Sequence, residues 1–218
     1  MITLECASLK GLLECASLSV SEGKTCVVLT ETDIERNMVL KIITGLARVD
    51  SGKVFIFGKE ISSISYDELN ELRKRLGVVM NNGGLVSNLK VWENIMLPLA
   101  YHKSLSDHGM EEKMMRILGR IGYDDDVTRL SGPLPPFKKR LVGLVRAMLM
   151  EPDIMIYDYI SEGLSVDFKS RLLDTINTFH GEKKGRTSVF LESGSNVTSD
   201  IKADSIFILK KGIFHERN

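Results

Sequence analysis

An acid closes one of the most apolar stretches of the chain. Ile154-Met155-Ile156-Tyr157-Asp158 reads as a buried strand with a carboxylate at its end. A carboxylate placed there is a metal ligand when a Ser/Thr hydroxyl or a phosphate completes the set. Without such partners it caps a neighbouring loop, and that is the expectation for Asp158. The other residue types that carry chemistry are dispersed. His102, His108, His180 and His215 share no spacing and read as surface residues. Cys6, Cys15 and Cys26 are odd in number and lack C-x-x-C spacing, which excludes a disulfide scaffold and a zinc ribbon and points to a reducing compartment. Thr32-x-x-Glu35 has the spacing of a capping box at a helix start. Arg36 is expected to pair with Glu31 or Glu35 on the surface. Lys138-Lys139-Arg140 reads as the solvated first turn of another helix.

The elements that must hold these residues follow from length and pattern. A chain of 218 residues with 43% apolar content buries a sizeable core, and 29 basic against 29 acidic residues leave no net field to attract nucleic acid or an anionic membrane. No apolar run approaches the roughly 18 residues of a membrane span, and Met-Ile-Thr-Leu-Glu has no signal-peptide character; a soluble intracellular domain is expected. Leu4-Glu5-Cys6-Ala7-Ser8-Leu9 recurs as Leu13-Glu14-Cys15-Ala16-Ser17-Leu18, two short strands about a Lys10-Gly11 turn. Two copies make no solenoid, and chance similarity of neighbouring strands is the expectation. Thr25–Leu29, Val54–Gly58, Gly77–Met80, Ile154–Asp158, Ser188–Leu191, Ser205–Leu209 and Ile213–Phe214 read as further strands. Helical periodicity covers 38–47, 66–76, 91–102, 109–122, 138–150 and a face marked by Phe168, Leu172, Leu173, Ile176 and Phe179. Apolar strands separated by helices predict an α/β fold with a mostly parallel core sheet.

In that order, the segments resemble the nucleotide-binding subunit of ABC (ATP-binding cassette) transporters over nearly the whole chain. Leu40–Leu46 followed by Asp50-Ser51-Gly52-Lys53-Val54 resembles the helix after the phosphate loop and the next strand. Leu72–Val79 resembles the approach to the Q-loop, and Arg140–Met150 with Glu151–Asp158 the signature helix and Walker B strand. Asn82–Leu99 is most similar to the Mce/Mla-type lipid-transport ATPases. The resemblance implies a P-loop NTPase-like core, an N-terminal antiparallel β subdomain and a helical subdomain at roughly 83–147, all in one domain spanning 1–218.

Against that pattern the chemistry is missing. A phosphate loop needs glycines whose N–H groups wrap the phosphates, a lysine to reach them and a hydroxyl for Mg²⁺. Thr30–Met38 contains no glycine; Arg36 holds the lysine position, and Asn37 and Met38 replace the hydroxyl pair. Glu31, Asp33 and Glu35 make the segment acidic where a polyanion belongs. The short Leu9-Lys10-Gly11 turn supplies no aromatic to stack on adenine. Asn81 stands at the Q-loop glutamine, Ser165 at the D-loop aspartate and Ser193 at the switch histidine. Asp158 matches the Walker B aspartate, but Tyr159 stands where the catalytic glutamate belongs. A phenol with a pKa near ~10 is no general base at neutral pH, and a buried tyrosine bonded to Asp158 is its structural alternative. Leu130-Ser131-Gly132 keeps three letters of the signature, whereas ungapped counting from Lys139-Arg140 puts Pro133–Phe137 there, with prolines that donate no hydrogen bond.

The resemblance and the missing residues together imply a pseudo-ATPase, a structural or regulatory subunit under a membrane permease, partnered by an active paralogue or by itself. The alternative is a half-active subunit whose Ser131 and Gly132 serve a partner's ATP site. No cofactor or metal is expected, with ATP and Mg²⁺ returning only if the site is less altered than these residues indicate. Val91–Leu99 matches the region that receives the permease's coupling helix, which makes Trp92 the candidate anchor; inward packing of Trp92, Ile95 and Leu99 is the alternative.

Overall fold

The computed structural model describes residues 1–101, 109–194 and 200–217, so His102 and His108 lie outside the described residues. In chain order the elements are β1 (Ile2–Leu9), β2 (Leu13–Val20), β3 (Thr25–Thr30), α1 (Asp33–Ile43), β4 (Ser51–Ile56), β5 (Lys59–Glu60), α2 (Tyr66–Arg73) and β6 (Leu76–Val79). They continue with α3 (Val91–Tyr101), α4 (Gly109–Arg120), α5 (Pro136–Leu149), β7 (Ile154–Asp158), α6 (Val166–Gly181), β8 (Thr187–Ser193), β9 (Ser205–Lys210) and β10 (Ile213–Arg217). Two compact units divide the chain. One holds Met1–Leu76, Asp153–Asp158 and Lys184–Asn218; the other holds Gly77–Pro152 and Tyr159–Lys183. The second therefore contains the 83–147 span expected to be helical, and extends past it with α6.

The first unit carries two sheets. β2-β1-β4-β5 is antiparallel throughout. In the other sheet β3 lies between β9 and β8, parallel to both, β7 adds in parallel to β8, and β10 returns antiparallel on β9. β3 and β7 are buried at every residue, as continuous apolar strands covered on both faces must be. Tyr157 and Phe190 stack at 4.6 Å between ring centroids, and burial pushes the Tyr157 phenol well above its ordinary pKa. The mixed, mostly parallel core sheet and the N-terminal antiparallel sheet agree with the sequence expectation.

The two copies of the repeat play reciprocal parts in the structure. They pair antiparallel with Ala7 opposite Ala16, and the register slips on either side of that pair. Each slip is a bulge, and Cys6 and Cys15 occupy them with φ of 46° and 48°. The Cys6 N–H donates to Ser17 Oγ and the Cys15 N–H to Ser8 Oγ, both at 3.0 Å. Each Glu-Cys-Ala-Ser copy thus supplies one bulge and the hydroxyl that holds the other. Left-handed backbone costs an L-residue roughly 1–2 kcal/mol, so these bulges need that added bond. A disulfide joins Cys6 and Cys15, a single bridge between bulges and not the disulfide scaffold that the cysteine count excludes. The third cysteine, Cys26, is free and buried on β3.

In the second unit, α3 and α4 pack on α5. α3 buries Val91, Asn94, Ile95 and Leu99, and α5 buries nearly all its length from Arg140 to Leu149. Lys138-Lys139-Arg140 is not a solvated turn. Arg140 is buried, pairs with Glu162 at 3.3 Å and donates to the Asn81 carbonyl at 3.5 Å. Lys138 bridges Asp124 and Asp125 at 2.9 and 2.8 Å. Arg146, further along α5, donates to the Gly84 and Gly83 carbonyls at 2.8 and 3.0 Å.

Candidate functional site

The segment at the phosphate-loop position is organised from within. Thr32 caps α1: its hydroxyl accepts from Glu35 N–H at 3.2 Å, and the Glu35 carboxylate accepts from the Thr32 and Glu31 N–H groups at 2.9 Å each. The capping box that the spacing predicts is therefore formed. It also means that backbone donors at this helix start are directed to a resident carboxylate. Thr30 adds its hydroxyl to the Thr32 carbonyl at 3.0 Å, and Gly194 N–H donates to the Thr30 carbonyl at 3.0 Å.

Arg36 points inward. It is 3% exposed, not the surface partner of Glu31 or Glu35 that its neighbours suggested. Its Nε donates to Asp158 Oδ1 at 2.7 Å and its Nη1 to Ser193 Oγ at 2.7 Å, and Nη1 also pairs with Asp33. Ser193 Oγ donates in turn to Asp33 Oδ1 at 2.7 Å. The Ser193 hydrogen bond and then the Arg36 charge hold the Asp33 carboxyl below its ordinary pKa. Asp158 is 5% exposed, so its expected role as a loop cap is replaced by a buried ion pair. Position 36 is brought together with 158 and 193, which lie 122 and 157 residues further along the chain. Asp33, counted at first only as negative charge, completes the group; its signal was the i,i+3 spacing to Arg36.

Asn37 is exposed on α1. A cavity of about 430 Å³ at the strand ends is lined by Leu29, Thr30, Glu31, Gly194, Ile208, Lys210 and Arg217, not by Arg36 or Asp158. Tyr159 is half-buried with φ of 51°, so the expectation of a buried tyrosine does not hold. Ser165 caps α6 by accepting from Phe168 N–H at 3.4 Å. His180 sits in the last turn of α6 and His215 is exposed on β10.

In the second unit the two signature candidates differ: Ser131 is interior and Gly132 half-buried, whereas Pro133, Pro135 and Pro136 of the ungapped candidate are exposed. Ser131 is fully buried, donates to the Val86 carbonyl at 2.9 Å and accepts from Asn94 Nδ2 at 3.0 Å. Gly132 N–H donates to the Ser87 carbonyl at 3.0 Å. α5 begins only at Pro136, after Pro135, with no side-chain cap. Ser131 thus stands five residues before the helix and not at its N-terminus. Asn94 was not singled out from sequence. Its amide also accepts from Val86 N–H at 2.8 Å and donates to the Val86 carbonyl at 3.0 Å, the Leu89 carbonyl at 3.3 Å and the Lys90 carbonyl at 3.1 Å. Trp92 remains 40% exposed while Ile95 and Leu99 pack inward.

A family model described as ABC transporter matches residues 13–160. The chain belongs to the ABC transporter family. Among curated proteins it is similar to a methionine import ATP-binding protein of Rhizobium meliloti (strain 1021), 23% identical over 205 residues, 94% of this chain and 56% of that protein. It is also similar to a probable ribonucleotide transport ATP-binding protein of Mycobacterium bovis, 27% identical over 167 residues, 75% of this chain and 46% of the other. The chain spans about half the length of the curated relatives it matches. Among solved structures it is similar to a dimeric ATP-binding cassette in a post-hydrolysis state bound to ADP and Pi, with a TM-score of 0.87, 20% identity and coverage of 100% and 98%. A Clostridium perfringens protein described as part of the cbiONQ ABC transporter complex gives a TM-score of 0.82 at 18% identity, covering 100% and 88%. These structures establish the ABC ATPase fold. Among the described residues, no helix is long and apolar enough to cross a membrane.

Proposed function

We propose that this ABC-family chain is a pseudo-ATPase, a structural or regulatory subunit of a membrane transporter. The observation that carries this reading is the Arg36 cluster. The residue at the phosphate-loop lysine position binds the Walker B aspartate and the switch-position serine directly. A guanidinium held between carboxylates leaves little net positive charge for a triphosphate. Glu35 takes N–H groups that a phosphate would need, and Asp33 adds a carboxylate at the same helix start. ATP and Mg²⁺ do not fit this residue set, and no hydrolytic step follows from it.

The half-active alternative is not favoured. A signature serine must present its hydroxyl at a helix N-terminus, whereas Ser131 donates its own to Val86 inside the unit. The subunit sits on this reading at the cytoplasmic side of a membrane, beneath a permease, with an active paralogue or a second copy alongside. Partial exposure of Trp92 on α3 supports a docking role for that face. The Mce/Mla-type assignment and a lipid cargo rest on the Asn82–Leu99 string.

Calorimetric titration of ATP·Mg²⁺ into the purified chain should give no saturable heat up to about 1 mM ligand, far weaker than working ATPases require. The variant Arg36→Lys/Asn37→Ser should still release no phosphate, because the acidic, glycine-free loop remains. Micromolar affinity in the unaltered chain overturns the reading.

A further inference from the structure

We propose that Cys6 and Cys15 form a reversible thiol–disulfide modification site, with low-molecular-weight disulfides of the glutathione class as oxidant and their thiols as reductant. Both residues are exposed, on the face opposite the buried pair Ala7 and Ala16. Both stand at bulge positions with positive φ, where glycine is the favourable residue, yet cysteine is present in each copy. A cysteine present in both copies at a position that disfavours side chains points to use of that side chain.

The surroundings favour reversibility. β1 and β2 are held together without the sulfur bridge, by the Ile2–Val20, Leu4–Leu18 and Ala7–Ala16 pairs and by the reciprocal Cys N–H to Ser Oγ bonds. Reduction therefore leaves the two thiols side by side, where ring closure needs no search through chain conformations. Exposure of both residues opens the bridge to a small thiol from solvent. Cys26 supplies the contrast inside the same chain. It is buried on β3, and burial pushes its thiol up to about 11, so it holds little thiolate.

The step balances as a two-electron exchange. One cysteine thiolate attacks oxidised glutathione, forming a mixed disulfide and releasing one glutathione thiolate. The second thiolate attacks the protein-side sulfur, closes Cys6–Cys15 and releases the other glutathione. The two protein thiols are oxidised, one glutathione disulfide is reduced to two thiols, and the protons pass to those products.

The test equilibrates the folded chain with buffers of varied reduced-to-oxidised glutathione ratio, quenches with acid and alkylates, and reads each cysteine by peptide mass spectrometry. The Cys6–Cys15 linkage should rise from near absent to near complete across the series and return on dilution into excess reduced glutathione. Cys26 should stay unmodified throughout. Cys15→Ser should trap glutathione on Cys6, because the resolving thiol is gone. Oxidised pair at every ratio makes the bond a fixed structural one and overturns the proposal, as does a pair that stays dithiol at every ratio. Glutathione stably retained on both cysteines of the unaltered chain overturns it too. The readout is independent of nucleotide binding, so the pseudo-ATPase reading can fail without touching it.

Discussion

Two polar clusters, one in each unit, occupy positions where ABC-family relatives suggest chemistry, and they are built on opposite principles. The cluster around Arg36 is ionic: a guanidinium bonded to Asp158, Asp33 and Ser193, with Arg36 and Asp158 buried and the Asp33 side chain 74% exposed. The cluster around Asn94 is neutral and closed, an amide and a hydroxyl binding Val86, Leu89 and Lys90. The first spreads one guanidinium over two carboxylates and a hydroxyl. The second hangs several backbone groups on one side chain. Of the two, the ionic cluster contains a carboxyl whose titration is tied to the fold.

The largest effect expected is on the ionic side. Arg36→Met removes the buried cation and leaves the Asp158 carboxylate without its guanidinium, a defect of about 3–5 kcal/mol. Denaturant unfolding should show the midpoint falling by that free energy divided by the slope, with little change in the slope itself. Arg36→Met combined with Asp158→Leu should recover much of the loss, since removing both members eliminates the stranded charge. A double variant as unstable as the sum of the singles would show that the pair is not the coupled unit described.

A somewhat smaller loss is expected at Asn94. Replacement by Ala leaves the Val86 N–H and neighbouring carbonyls with unmet hydrogen bonds in a fully buried site, about 2–3 kcal/mol. Ser131→Ala removes one hydroxyl from the same cluster and should cost about 1 kcal/mol. Denaturation curves of both variants check the order, and a Ser131 effect exceeding that of Asn94 would invert the hierarchy.

How much of this was legible in the sequence depends on the distance over which each feature is determined. The Thr32–Glu35 capping box and the apolar strands at Thr25 and Ile154 depend on local spacing or composition, and the structure contains them. β5 is two residues of Lys-Glu that no pattern marks, and only pairing with β4 makes it a strand. Arg36 was assigned to its neighbours Glu31 and Glu35, yet Asp158 lies 122 residues away and reaches it through the parallel order of β3, β8 and β7. The Glu-Cys-Ala-Ser repeat was visible as letters, but a bulge is a fact about two strands in register. Periodicity in one strand cannot contain it.

The smallest effect isolates the exposed end of the ionic cluster. The folded pKa of Asp33 lies below its ordinary value of 3.8, first through the Ser193 hydrogen bond and then through Arg36. A depressed carboxyl pKa means that the unfolded chain takes up the proton before the folded chain does as pH falls. The associated stability is complete above the unfolded value and disappears as pH drops through the folded one. Because Asp33 is mostly exposed, solvent screening keeps the contribution below about 1 kcal/mol. Asp33→Asn should therefore be slightly less stable than the unaltered chain at about pH 6, with the gap narrowing below about pH 4. The Asn94→Ala gap, which contains no titrating member, should stay level over the same range. Thermal midpoints of the three proteins measured side by side between about pH 6 and pH 3 decide the matter. An Asp33→Asn deficit that persists unchanged in acid would place that residue's contribution in helix capping and geometry, and would remove the pH response that distinguishes the two clusters.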